Sequence, residues 1–416
     1  MTTQLVRSTG MVGAIMLGLG SILGTGVFVS LGFGYALAGD ALLYAIALAA
    51  FVALCNGLSS AQLAAAHPVS GGTYEYAYQY LNRHWAFVAG WVFICAKSAS
   101  AAAALLASAY LLLASFMSGE IPAAAVIAVA LLLLGALTVL VLCGVQRSNQ
   151  VNGVLVTLTL LSLGVFVATL ASTPVAESVA NKAHTVSVST VLSAVALLFV
   201  AYTGYGRVAT LGEEVKQPRR TIPRAIVATL VVVMALYLLV GSVLVRHAPE
   251  FELTNFNLSQ LLASGWQQEV VRLGAALAMI GVALNLLLGV SRVVLAMARR
   301  GDLPRAWARL NQARSAAPYA TLVTALIIAV VAMFGSVIGA WSLSALTVLM
   351  YYGITNLAAL KVPPSQRFIA KPWSIVGLFS CFALIFVVPV QFLWLGMGSL
   401  AFAWALRLRY QFLRQG

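Results

Sequence analysis

The sequence predicts an all-α membrane protein of about 12 transmembrane helices, and three observations predict it. Hydrophobic residues make up 62% of the 416 positions and charged residues only 8%. Too few polar side chains remain to face water, so most of the length must lie in lipid. Apolar stretches near the ~20 residues that a spanning helix needs recur along the whole chain. The basic residues, finally, fall on alternate loops, as the positive-inside rule requires.

The spans read near 8–38, 41–65, 84–117, 121–143, 150–172, 189–214, 221–246, 266–299, 318–337, 340–361, 373–390 and 393–411. The first contains G-S-I-L-G-T-G-V-F, Gly20 to Phe28. The sixth contains F-V-A-Y-T-G-Y-G-R-V-A-T-L-G-E-E, Phe199 to Glu214. Central glycines break an apolar helix, and hydrocarbon cannot satisfy the freed N–H and C=O groups, so such breaks survive only where they line a cavity. Paired breaks in corresponding places of two halves point to a transporter's substrate site. Gly24, Thr25 and Gly26 also suit close helix packing. A half-helix starting near Thr25, however, aims free N–H groups and a positive dipole end at the cavity, where a carboxylate is well held.

The loop after the second span, His67 to Arg83, is polar and aromatic. In the third span Lys97 lies about 12 residues in, roughly 18 Å along the helix and close to the bilayer centre. A central lysine costs about 2.5–3.5 kcal/mol on insertion scales, which makes it a functional candidate by default. The competing reading is a lysine that snorkels to the interface or is fixed to carbonyls as structural glue. Arg207 and Glu214 are seven apart, two turns of a helix running to 214, and so share a face with Glu213 beside them. This reads as an ion-pair network at the inner end, either structural or serving as an inner gate. Lys216 to Arg224 is a topology anchor, Arg246 to Gln267 the longest outer loop, and Arg299 to Pro318 a basic inner loop with a short amphipathic helix. Arg292 reads as reaching the cytoplasmic edge. Ser98, Asn285, Ser291 and Tyr352 are candidates to face the cavity. Pro389 sits in a short turn before the last span.

The net charge is +14. With the N-terminus inside, the inner segments hold Arg7, Arg83, Arg147, the Lys216–Arg224 run, the Arg299–Arg314 run, Lys361, Arg367, Lys371, Arg407, Arg409 and Arg414. The outer side holds only Lys182, Arg246 and Arg272, against Asp40, Glu120, Glu177, Glu250, Glu252 and Glu269. That asymmetry argues against a nucleic-acid partner. It predicts a multi-pass protein of the plasma (inner) membrane with both termini cytoplasmic and basic loops on anionic headgroups. The N-terminus does not read as a cleavable signal peptide. Cys55, Cys95, Cys143 and Cys381 fall in hydrophobic segments and read as small apolar residues. His67, His84, His184 and His247 are far apart, so no metal, haem or other cofactor is expected. No G-x-x-x-x-G-K-[ST] motif is present, so the energy for transport must come from an ion gradient or from exchange. A membrane-embedded enzyme would need a convergent His/Asp/Glu cluster, and a channel a ring of charges; neither is found.

Helices 1–5 (about 8–172) and 6–10 (about 189–361) form two units. Five is odd, so the second unit starts on the opposite face and the repeat is inverted, with a broken helix opening each unit. Residues 1–361 are then the ten-helix core. Residues 372–416 add two helices and a tail, a packing or oligomer surface; the oligomeric state is left open.

The two broken stretches carry a resemblance. G-S-I-L-G-T-G-V-F, A-Y-T-G-Y-G-R-V-A-T-L-G-E-E-V-K-Q-P-R-R-T-I-P-R-A (Ala201 to Ala225) and G-V-S-R-V-V-L-A-M-A-R-R-G-D-L-P (Gly289 to Pro304) are similar to the amino acid–polyamine–organocation (APC) superfamily of permeases. H-P-V-S-G-G-T-Y-E-Y fits the loop after the second helix. The resemblance covers essentially the whole chain and implies the LeuT-type inverted-repeat fold. It further implies a secondary active transporter, symporter or antiporter, that carries amino acids by alternating access. The family's carboxylate cradle falls on Thr25, Gly26 and Val27, with Gly24 before it, and the Ile22 carbonyl faces the substrate ammonium. The carbonyls of Val200, Thr203 and Gly204 complete the ammonium cage, and Tyr202 is the aromatic gate. Gly206 occupies a position where some members carry a carboxylate; its smallness leaves room and adds no charge. Proton-linked members place a lysine on helix 5, where the matching residue here is Thr159, so coupling to protons rests on Lys97. No acidic residue lies at site depth while Lys97 and Arg207 do, which favours neutral amino acids; cationic amino acids and export are the alternatives.

Overall fold

The computed structural model describes residues 7–117, 119–173, 187–247, 257–313, 315–334, 337–388 and 390–415. Glu177, Lys182, His184, Glu250, Glu252, Arg314 and Pro389 lie outside the described residues. Every predicted span contains a helix. In chain order the helices are α1 (Met11–Gly20), α2 (Leu31–Ala38), α3 (Leu42–Ala66), α4 (Thr73–Tyr80), α5 (Arg83–Ala114), α6 (Ala123–Leu142), α7 (Val145–Ala171) and α8 (Val188–Tyr202). There follow α9 (Gly206–Ala209), α10 (Pro218–His247), α11 (Trp266–Arg300), α12 (Pro318–Met333), α13 (Val337–Leu360), α14 (Lys371–Ile385) and α15 (Val390–Gln415). Among the described residues, 8 helical stretches are long and apolar enough to cross a bilayer, and α1, α12 and α14 are shorter apolar helices.

Local chemistry sets the ends. Asn82 caps α5, its Oδ1 accepting the N–H groups of His84 and Trp85 at 2.9 and 3.0 Å, which satisfies two of the donors a helix start leaves open. Ser187 does the same for α8 through the Thr190 N–H. At the other end of α11, Gly301 takes φ +79°, a left-handed conformation that closes the helix without a Cβ penalty. The Ala/Ser-rich stretch Ser98–Ala109 lets α5 sit deep in the bundle, because small side chains let helix backbones approach closely.

α5 and α11 pack on each other and form the centre, and α3 packs on α10. Six further packings come in corresponding pairs: α5 with α13 and α11 with α7, α3 with α8 and α10 with α1, α5 with α6 and α11 with α12. Exchanging the first five spans for the second five turns each of these packings into another that is also present. α14 lies against α13 and α3, and α15 against α13 and α5.

The basic loops gather at one end of the bundle. Arg300 pairs with Glu75 at 2.8 Å, and Arg83 and Arg407 meet Asp302 at 3.3 and 2.9 Å. The Ser8 and Thr9 N–H groups donate to Glu214 O at 3.0 Å, and Lys216 N–H donates back to Thr9 O at 2.8 Å.

Three details differ from the sequence expectations. The polar segment after α3 is not all loop: Thr73–Tyr80 form α4, whose first five residues are buried. Tyr76 anchors it through a 3.0 Å hydrogen bond to Ala209 O. The basic loop after α11 holds a four-residue 3-10 turn, Arg305–Ala308, in place of an amphipathic helix. The sixth span does not run to 214. It ends at Ala209, because Gly212 lies against the Val69 backbone and the chain must turn there.

Candidate functional site

The first break separates α1 from a five-residue π-helical turn, Gly26–Ser30, which leads into α2. Ser21 closes α1 by donating its hydroxyl to Leu17 O at 2.6 Å. The Ile22 and Leu23 N–H groups still reach Leu19 O at 3.0 and 2.9 Å, and the ladder resumes with Phe28 N–H donating to Gly24 O at 3.2 Å. Between these bonds none of the well-aligned backbone hydrogen bonds outside the helices is donated by the N–H groups of Gly24, Thr25, Gly26 or Val27. All four residues are buried, and they open the π-helical turn. That is the arrangement that holds an anion.

The second break lies between α8 and α9, where Thr203–Tyr205 form a single 3-10 turn. Its carbonyls are committed. Val200 O accepts the Thr203 hydroxyl at 2.7 Å. Thr203 O accepts the Tyr352 hydroxyl at 3.1 Å and lies 3.4 Å from Lys97 Nζ, which also donates to Thr203 Oγ1 at 2.8 Å. The two breaks touch. Gly204 sits so close to the Ser21 carbonyl and the Ile22 side chain that any Cβ at 204 would overlap them.

The predicted residues therefore come together, with qualifications. Gly24 faces α11 at Ala278 and Val282. The hollow over Gly26 holds the Tyr237 hydroxyl, which donates to Ile22 O at 3.2 Å. Tyr202 is fully buried and its ring lies on Tyr237, centroids 4.8 Å apart. The room expected at Gly206 is filled: a methyl there would lie 2.7 Å from the Tyr352 hydroxyl. Thr159 turns its hydroxyl to Leu155 O on its own helix at 2.7 Å. Ser98 and Ser291 lie buried on the central helices, Ser291 bonded to Leu288 O.

Below the second break stand the charges. Arg207, Arg292 and Glu214 are all fully buried. Arg292 donates to Glu214 Oε1, and Arg207 Nη2 is 3.9 Å from Oε2. Arg207 also donates to Thr210 Oγ1 at 3.1 Å. Arg292 thus does not reach the edge of the bundle; the glutamate holds it inside. Nor do Arg207 and Glu214 meet as helical neighbours: the chain turns after Ala209 and brings Glu214 back. Glu213 points elsewhere and pairs with Arg299 at 2.7 Å. Asn152 and Asn285 form a second buried polar link, with Asn152 donating to Met16 O at 2.9 Å and Asn285 to Asn152. Sequence reading missed Asn152 and Tyr237. The one available signal was a lone phenol in the run V-V-V-M-A-L-Y-L-L-V of α10.

Residues 9–408 match the family described as amino acid permease. An uncharacterized transporter of Mycobacterium tuberculosis is 37% identical over 398 residues, 93% of this chain and 88% of the relative. A branched-chain amino acid permease of Bacillus subtilis is 31% identical over 336 residues, 74% of this chain and 70% of the relative. Cationic amino acid transporter 3 of Arabidopsis thaliana is 26% identical over 354 residues, 80% and 58% of the two chains. The chain belongs to the amino acid permease family, within the APC superfamily.

Proposed function

We propose that this amino acid transporter is a secondary permease or exchanger that binds its substrate's α-amino and α-carboxyl groups at the first helix break and moves it by alternating access. The observation that carries the reading is the row of unpaired N–H groups from Gly24 to Val27 beside the Ile22 carbonyl. Donors at a helix start suit the carboxylate, and a carbonyl suits the ammonium. Gly24, Thr25, Gly26, Val27 and Ile22 form one wall, and Val200, Tyr202, Thr203, Gly204 and Gly206 the other. Backbone groups read what all amino acids share, so the side chain is selected elsewhere.

Neutral side chains are favoured. Lys97, Arg207 and Arg292 are buried around the second break, where Glu214 is the carboxylate that the two arginines share. A further cation would meet repulsion at low dielectric. The branched-chain permease among the relatives supports this choice. A cationic substrate is the second reading. It is favoured by the relatives named cationic amino acid transporters and by Tyr202 and Tyr237, whose ring faces can hold a cation. Lys97, with no carboxylate partner among the described residues, carries the coupling to protons. Arg207, Glu213 and Glu214 act as the inner gate.

The corresponding helix packings support a repeat of about 8–172 and 189–361 within a 1–361 core, with 372–416 as an addition. The clustered basic loops support both termini in the cytoplasm and residence in the plasma membrane. Uptake of labelled alanine, leucine, arginine and glutamate into proteoliposomes tests the reading. Leucine and alanine are expected to enter and arginine to be ignored; arginine entering alone reverses the choice of substrate, and no entry of any of the four overturns the function.

A further inference from the structure

One side chain occupies both halves of the first break at once. The Tyr237 hydroxyl donates to Ile22 O at 3.2 Å and fills the hollow over Gly26, where it leaves no space for a Cβ. Tyr237 is fully buried on α10, and its ring lies on that of Tyr202. The hydroxyl therefore stands where the substrate's ammonium and carboxylate would meet. From this geometry we infer that Tyr237 is a ligand-binding residue: its hydroxyl satisfies Ile22 O in the empty site and turns to the substrate's α-carboxylate when the site is loaded.

The argument is one of keeping buried donors and acceptors paired. A phenol has one donor. When an ammonium takes Ile22 O, that donor loses its acceptor, and an unpaired buried donor is costly. The carboxylate arriving at the Gly24–Val27 donors is the acceptor that replaces the lost one. The exchange keeps the Tyr237 hydroxyl and the Ile22 carbonyl paired in both states and adds no charge. A phenylalanine would fill the same volume and support neither state. The inference rests on the proposed reading of the first break, and it applies whichever side chain the substrate carries.

The test compares wild-type protein with Tyr237→Phe, using L-leucine against 3-methylbutylamine and L-arginine against agmatine, each amine being the amino acid without its carboxylate. Binding is read by thermal shift or calorimetry, and the ligand-free unfolding temperature reports folding. The variant is expected to bind the preferred amino acid about tenfold more weakly, with the affinity of the matching amine unchanged. Equal losses for acid and amine, or no loss for the acid, overturn the inference while leaving the first break as the site. Wild-type protein that binds neither amino acid overturns the reading of the break, and this inference with it. Should Tyr237→Phe not fold, near-isosteric 3-fluorotyrosine at position 237 gives the same answer by fluorine resonance: a shift on adding the acid and none on adding the amine is expected, and an equal response to both overturns the inference.

Discussion

The two helix breaks differ in which of their groups stay open and in what surrounds them. At the first, the N–H groups of Gly24 to Val27 are unclaimed, and the neighbours that reach in are neutral: the Tyr237 phenol on Ile22 O and, one turn away, the Asn152–Asn285 amides beside Gly20. At the second, the carbonyls of Val200 and Thr203 are already bonded, and the neighbours are charged: Lys97 on Thr203, then Arg207, Glu214 and Arg292 below. Both breaks follow the same rule, that freed backbone groups need partners where water is absent, yet they obey it in opposite ways. The first keeps donors ready for a ligand. The second binds its acceptors to side chains that can let go. In the function proposed above, recognition belongs to the first break and switching to the second.

The most damaging way to break the comparison is to remove the single carboxylate that the second break's arginines share. Glu214→Gln leaves Arg207 and Arg292 buried without a counter-charge, which costs about 3–5 kcal/mol. Thermal unfolding in detergent is expected to show a large fall or loss of the folded protein. Asn285→Ala at the first break removes only a neutral amide, and about 1–3 kcal/mol is expected. If the two losses were equal, the electrostatic contrast between the breaks would disappear.

Next in size is the contact itself. Gly204→Ala places a methyl into the Ser21 carbonyl and Ile22. Backbone cannot give way as a side-chain tip can, and overpacking of this kind costs about 1–3 kcal/mol. Uptake is expected to vanish while the protein remains folded. Gly26→Leu is expected to abolish binding by filling the hollow over the open donors. Full transport by Gly204→Ala would show that the breaks need not touch.

These predictions depend on features of uneven legibility. The breaks were visible because closely spaced glycines interrupt corresponding spans of the two halves, and the helices because ~20-residue apolar runs have a period and a length. What was hidden depended on where the chain turns. A helix was expected through Glu214, yet Gly212 against Val69 forces a turn after Ala209, and no propensity in A-T-L-G-E-E announces a contact with a distant loop. Arg292 read as a residue of the eighth span that reaches the cytoplasmic edge. Its burial required knowing that Glu214 comes back to meet it. Tyr237 and Asn152 were invisible for the same reason: each acts on a segment far away in sequence, Ile22 for one and Met16 for the other.

A smaller effect sharpens the contrast by separating coupling from recognition. Lys97 reaches the second break only, through Thr203. Lys97→Ala is expected to abolish uptake driven by a pH gradient and to spare equilibrium binding, because the donors of the first break are untouched. Counterflow exchange, which needs no net proton movement, is expected to survive. Wild-type uptake that ignores the pH gradient would remove the proton from the mechanism and leave Lys97 as structural glue for Thr203.

The smallest effect is the most informative about the first break. Thr25 donates its backbone N–H to no carbonyl outside the helices, and no hydrogen bond of its side chain is among the described contacts. Thr25→Val keeps the shape and the N–H and deletes only the hydroxyl. If recognition is by main chain, the dissociation constant for the preferred amino acid should change by less than about threefold, or ~0.6 kcal/mol. A tenfold loss would mean that the hydroxyl itself binds substrate. The first break would then select by side chain as the second one holds by side chain, and the division of labour between them would fail at its cheapest test.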